Sequence, residues 1–174
     1  IHRKRKSYME GVIITLIRPS SLRVAPYCNH FGVCGGCSWQ HLQYTEQLKY
    51  KQKQVLDALQ RIGKLELHEI REILPSEDTR FYRNKLEYTF SDSRWLTSEE
   101  VQSGQPIERG NALGFHIPGR FDKILDIEEC FHQPEPSNRI RMAVKEYGKH
   151  NHLDFFNIRD KKGFLRNIII RNNL

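Results

Sequence analysis

The chain has no apolar run near the ~18 residues that a membrane-spanning helix needs, so no membrane anchor is expected. It has no secretory h-region either, since it opens on the basic run Ile1-His2-Arg3-Lys4-Arg5-Lys6. No G-x-G occurs, which removes the glycine loop that wraps a nucleotide-type cofactor after a strand. Internal repeats and low-complexity tracts are absent. Acidic residues are in deficit, 21 against 28 Lys and Arg in 174 residues, for a formal net charge of +7. That excess suits a polyanionic partner, of which nucleic acid is the commonest. Four cysteines are too few for a disulfide-stapled secreted domain of this length.

Those four are not scattered. Cys28, Cys34 and Cys37 fall within ten residues in the pattern C-x5-C-x2-C, and Cys130 stands alone in Ile127-Glu128-Glu129-Cys130-Phe131-His132. Soft thiolates grouped in this way select zinc, copper(I) or an iron–sulfur cluster. Gly35 and Gly36 let the backbone wrap tightly and aim N–H groups at sulfur, which helps to set the potential of an iron–sulfur centre. Zinc fits the same residues, with His30, His41 and His132 as further ligands. On the residues alone both metals stand. A redox pair at Cys34 and Cys37 would leave Cys28 and Cys130 without a role.

The rest reads as α+β: a mostly antiparallel sheet with two main helices, stapled by the four-cysteine metal site. Gly11–Ile17 and Leu22–Ala25 read as short strands. A helix is predicted over about 45–62, capped by Thr45 and stopped by Gly63, with Leu48, Val55, Leu56, Leu59 and Ile62 on its apolar face. Lys85–Phe90, Ala112–Ile117 and Lys123–Ile127 alternate as strands around a polar loop from Ser91 to Gly110. A second helix starts at Pro134–Pro136, buries Ile140, Ala143, Val144 and Tyr147, and stops at Gly148. Leu153–Ile158 and Phe164–Arg171 follow as strands, joined by an Asp160–Gly163 hairpin turn.

The segment Pro26-Tyr27-Cys28-Asn29-His30-Phe31-Gly32-Val33-Cys34-Gly35-Gly36-Cys37-Ser38-Trp39-Gln40-His41-Leu42 resembles the cluster motif of the RNA uracil-C5-methyltransferase family. Its nearer branch is the RumA-type 23S rRNA (uracil-5-)-methyltransferases. Phe81-Tyr82-Arg83-Asn84-Lys85, Leu113-Gly114-Phe115, Asp126–Cys130 and Gly163–Arg171 resemble later segments in the same order. The resemblance implies a [4Fe–4S] cluster on Cys28, Cys34, Cys37 and Cys130. It implies that residues 1–26 are the tail of an OB-like TRAM domain and 27–174 the iron–sulfur-containing central RNA-binding domain, with helix 45–62 docking on a catalytic domain. The implied parent is a cytoplasmic transferase that moves a methyl group from S-adenosylmethionine to C5 of a uridine in a 23S rRNA loop; neither DNA nor a membrane is an expected partner. With all four cysteines assigned and no cofactor loop, this stretch would hold no catalytic residue and would not methylate RNA by itself. The opening on Ile1 and the strand close to the other end read as a piece of a longer protein. Candidate RNA contacts are Arg83 and Lys85, then Arg80, Arg120, Arg166 and Arg171; His116, weighed with them, reads as structural like Tyr82, and Trp39 as packing over the cysteine site. The alternative is a zinc-binding RNA-recognition module without methyltransferase activity.

Overall fold

The structure, a computed structural model, describes residue 1 and residues 3–173; His2 of the basic opening and Leu174 lie outside them. The sheet is built around β3 (Lys85–Ser91). Its alternation buries Leu86, Tyr88 and Phe90 at 5%, 0% and 2% exposure, while Lys85 and Glu87 face solvent. Burying one such aromatic contributes about 1.5–3 kcal/mol before the entropy of ordering it is counted. β4 (Ala112–His116) pairs antiparallel on one side, with Thr89 opposite Gly114. β6 (Asn167–Arg171) pairs antiparallel on the other, from Lys85 opposite Arg171 to Thr89 opposite Asn167. β5 (Ile124–Asp126) extends the sheet beyond β4, so the order is β5-β4-β3-β6. The inner face packs Leu86, Tyr88, Phe90, Leu113, Leu125 and Ile170 against Ile127, Cys130 and Phe155. The α+β class and the antiparallel sheet expected from the sequence are therefore present.

Helix α3 (Ser137–His150) covers this face in an unexpected orientation. Ile140 and Tyr147, assigned to the core from their spacing, are 43% and 65% exposed. The buried positions are Ser137, Asn138, Arg141, Lys145 and Gly148. The terminal nitrogens of Arg141 and Lys145 on that face find partners, while Arg141 Nε has none. Arg141, fully buried, donates to the carbonyls of Ile127, Glu128 and Leu113 and lies 5.3 Å from the centroid of the Tyr88 ring. Lys145 Nζ bonds Asp126 Oδ2 at 2.6 Å. Gly148 does not stop the helix; a Cβ there would meet Leu165 Cδ1 at 2.5 Å and Phe155 Cε1 at 3.3 Å, so its role is close approach.

Other expectations shift as well. The stretch 11–17 is not a strand; the short pair is β1 (Arg3–Lys4) with β2 (Met9–Glu10). Leu22–Ala25 forms one bridge, Arg23 with Leu42. The polar loop contains α2 (Ser98–Ser103), closed by a capping box between Thr97 and Glu100. Leu153–Ile158 is irregular, held to the 160–166 turn by Phe156 N–H to Leu165 O at 2.9 Å and Asn157 N–H to Lys162 O at 2.7 Å.

The first long helix is α1 (Tyr44–Asp57), continued by a π-type turn over Ala58–Ile62. Gln43, not Thr45, is the N-cap, and Gly63 ends it in a right-handed conformation. None of its residues is buried, and Val55 and Ile62 are 58% and 83% exposed. No helix among the described residues is long and apolar enough to cross a membrane.

Candidate functional site

The 28–37 loop docks on the C-terminal end of β4. Gly35 N–H donates to His116 O at 3.0 Å, and a Cβ on Gly35 would come within 2.3 Å of that oxygen. Only glycine allows this approach. From the other side Glu128 N–H donates to His30 Nε2 at 3.1 Å. The two contacts bring the loop to the segment after β5. As a result Cys28, Cys34, Cys37 and Cys130 line one small pocket whose other walls include Phe31, Phe115, Ile127 and Phe131. The meander of β4 and β5 thus delivers Cys130 to the first three cysteines, as the sequence order suggested.

All four cysteines are free thiols, three half-buried and Cys130 buried. Burial, followed by contact effects of the neighbouring sulfurs, raises the Cys28 and Cys130 thiols and pushes Cys34 up to about 11. Gly36 N–H donates to Cys34 Sγ at 3.4 Å. His132 Nε2 lies 3.1 Å from Cys37 Sγ, and burial lowers the pKa of that ring. The buried hydroxyl of Tyr88 faces the Cys130 thiol in the same core cluster and offsets part of the upward push of burial on it. Among the described residues no three His, Cys, Asp or Glu side chains are grouped to hold a single metal ion. The donor set is nevertheless of the soft type, four sulfurs around one apolar-walled pocket with the Gly36 N–H on one of them.

A second, open cleft of about 600 Å³ adjoins this pocket. Tyr27, Gly36, Cys37 and His132 line both. Its lining also includes Trp39, Lys51 of α1, Arg80, Tyr82 and Arg83. The 81–83 segment is laced to the Cys130 loop by Phe81 N–H to Phe131 O at 2.7 Å and Arg83 N–H to His132 O at 2.9 Å.

The candidate RNA contacts separate into three places. Arg80 and Arg83 line the cleft, with the Arg80 guanidinium 4.2 Å from the Tyr27 ring centroid. Lys85 and Arg171 are cross-strand partners on β3 and β6, both exposed. Arg166, over Phe156, lines a third pocket with His116, and Arg120 lies over Trp95. Tyr82, expected to be structural, is 49% exposed at the cleft mouth and packs edge-on against His132. Sequence reasoning passed over Tyr27 and Lys51 as site residues. Tyr27, next to the first cysteine, carried a positional signal; Lys51, with Lys49, Lys53 and Arg61 on the polar side of the first helix, reads in sequence as a solvated surface charge rather than an RNA-facing one.

No family model matches the chain. An uncharacterised RNA methyltransferase of Bacteroides thetaiotaomicron is 54% identical over 98% of this chain and 38% of its own length. Another, of Porphyromonas gingivalis, is 47% identical over 97% of this chain and 37% of its own length. The chain therefore spans a little over a third of the curated relatives it matches, and the class they define is RNA methyltransferase. The structure of the Pyrococcus abyssi tRNA (uracil-54, C5)-methyltransferase, solved with S-adenosyl-L-homocysteine, matches with a TM-score of 0.60 and 29% identity, covering 91% of this chain and 31% of that one. Nearly the whole chain therefore matches a stretch of these RNA methyltransferases, and its fold matches part of the uracil-C5-methyltransferase structure.

Proposed function

We propose that the chain is the iron–sulfur and RNA-recognition part of an S-adenosylmethionine-dependent RNA (uracil-5-)-methyltransferase, with the nucleophile and the cofactor loop elsewhere in the parent protein. The observation that carries this reading is the convergence of Cys28, Cys34, Cys37 and Cys130 on one apolar-walled pocket. Those four residues would hold a [4Fe–4S] cluster. When bound, the cluster supplies a covalent tie between the 28–37 loop and the Cys130 segment. A zinc ion would need its four ligands within about 2.3 Å of one point. The form of the cysteine motif, C-x5-C-x2-C with a distant fourth cysteine, is what favours the cluster over zinc. Gly36 and His132 would then support the sulfurs, as hydrogen-bond donors do at such centres.

The chain's own contribution to methyl transfer is to bind and orient the RNA. Free thiols in a metal-type arrangement suit a reducing compartment, so the parent would work in the cytoplasm. The substrate is read as a 23S rRNA loop from the form of the cysteine motif. Residues 1–26 are read as the end of a TRAM domain and 27–174 as the central domain. The exposed apolar residues of α1 support the reading that this helix docks on the catalytic domain.

The test is an absorbance spectrum of protein purified without oxygen, with iron, acid-labile sulfide and zinc measured on the same sample. Iron and sulfide in matching amounts, with a broad near-ultraviolet to visible band, support the proposal. A colourless protein with stoichiometric zinc replaces it with the zinc-binding RNA module.

A further inference from the structure

We propose that the cleft beside the cysteine pocket receives one unstacked nucleotide of single-stranded RNA, its base on Tyr82 and its phosphates on Arg80, Arg83 and Lys51. The inference rests on the RNA-recognition reading above and names the site within it. Three observations carry it. The cleft, at about 600 Å³, is in the range of sites that take a ligand of nucleotide size. It gathers three cations, Lys51, Arg80 and Arg83, against one acid, Asp78, whereas the other candidate cations lie apart from it. Its aromatic wall is half exposed: the Tyr82 ring meets His132 edge-on, 5.6 Å between centroids, and the Arg83 guanidinium stands 6.0 Å from its centroid, so an aromatic plane and an Arg plane are presented together.

Single-stranded bases stack on aromatic faces and on Arg planes, and a duplex cannot offer an unstacked base without first being opened. The position of Tyr82 is fixed rather than adaptable. Its neighbours Phe81 and Arg83 are tied by backbone hydrogen bonds to Phe131 and His132. His132 is 9% exposed, lines both cavities, and reaches Cys37 Sγ with Nε2. The nucleotide site and the cysteine pocket therefore share a wall one side chain thick.

The experiment is fluorescence anisotropy with a short 5′-labelled single-stranded uridine-rich oligoribonucleotide, and with the same strand annealed to its complement. The variants are Tyr82→Ala, Tyr82→Phe, Arg83→Ala and Lys51→Ala, with Lys85→Ala/Arg171→Ala as the comparison on the open sheet face. Tyr82→Ala should weaken single-strand binding about tenfold, and Tyr82→Phe should restore it. Arg83→Ala and Lys51→Ala should weaken it and each lower the salt slope by about one. Unaltered binding by the cleft variants, with loss in the sheet-face variant, overturns the cleft and leaves RNA recognition standing. Equal affinity for the duplex overturns the unstacked nucleotide. No binding of either RNA by the wild-type protein overturns the RNA reading itself, and the cleft with it.

Discussion

The side-chain amide of Asn138 pairs with the backbone of Cys130: Cys130 N–H donates to Asn138 Oδ1 at 2.9 Å, and Asn138 Nδ2 donates to Cys130 O at 3.3 Å. Both residues are buried. The amide stands in for a neighbouring strand and fixes the peptide that carries the fourth cysteine. Asn138→Ala leaves a buried N–H and a buried carbonyl unpaired, so metal-free protein should lose about 2 kcal/mol or more. Urea unfolding measures it. A loss under ~0.5 kcal/mol would mean that water replaces the amide.

Gly35→Ala tests the docking of the cysteine loop. The new Cβ would stand 2.3 Å from His116 O, a backbone atom that cannot swing away. The loop should lift from β4 while the sheet, whose core does not include residue 35, stays folded. Metal content after anaerobic purification should fall by more than half with the far-ultraviolet circular dichroism unchanged. Full metal content would show that the loop does not need this contact.

His132→Ala tests the contact to Cys37. His132 Nε2 lies 3.1 Å from Cys37 Sγ, within reach to donate to a thiolate there in the tautomer that carries its proton on Nε2. Removing it should speed loss of iron under air or chelator several-fold, while His132→Gln, which keeps an N–H, should lie between the two. Equal loss rates in all three proteins would assign His132 to packing alone.

The apolar stripe of α1 predicts an unusual indifference. Val55 and Ile62 are exposed in this chain. Val55→Glu and Ile62→Glu should each change its unfolding free energy by no more than about 0.5 kcal/mol. A loss of several kcal/mol would place the stripe in a core.

The α2 cap has a pH signature. The Thr97 backbone N–H, then Arg94, hold the Glu100 carboxyl below the ordinary range. A carboxylate with a depressed folded pKa stabilises above its unfolded value, about 4.3, and this is lost as pH falls through the folded value. The advantage of wild type over Glu100→Gln should therefore be complete at neutral pH, begin to fall at about pH 4.3 and disappear only in more acidic solution, below the depressed folded value. Thermal unfolding across that window checks the sign. A constant difference would assign the cap to hydrogen-bond geometry alone.

The sequence by itself determined what depends on neighbours in the chain. Period-two alternation set β3 and β4, because one sheet face is buried and a register slip would turn every side chain outward. The cysteine spacing marked the pocket, and Gly35 its tight approach. The tertiary structure decided what depends on partners far along the chain. Helix α3 turns a polar face inward because Arg141 and Asn138 find backbone carbonyls and an N–H at the 127–130 segment, and no helical periodicity encodes that. Val12, Ile13 and Ile14 are β-branched, but with no strand to pair against they stay exposed and irregular. The cations that looked equivalent in sequence were sorted the same way. Arg83 reaches the cleft because the chain around it is laced to His132, while Lys85, two residues on, belongs to the open face of the sheet.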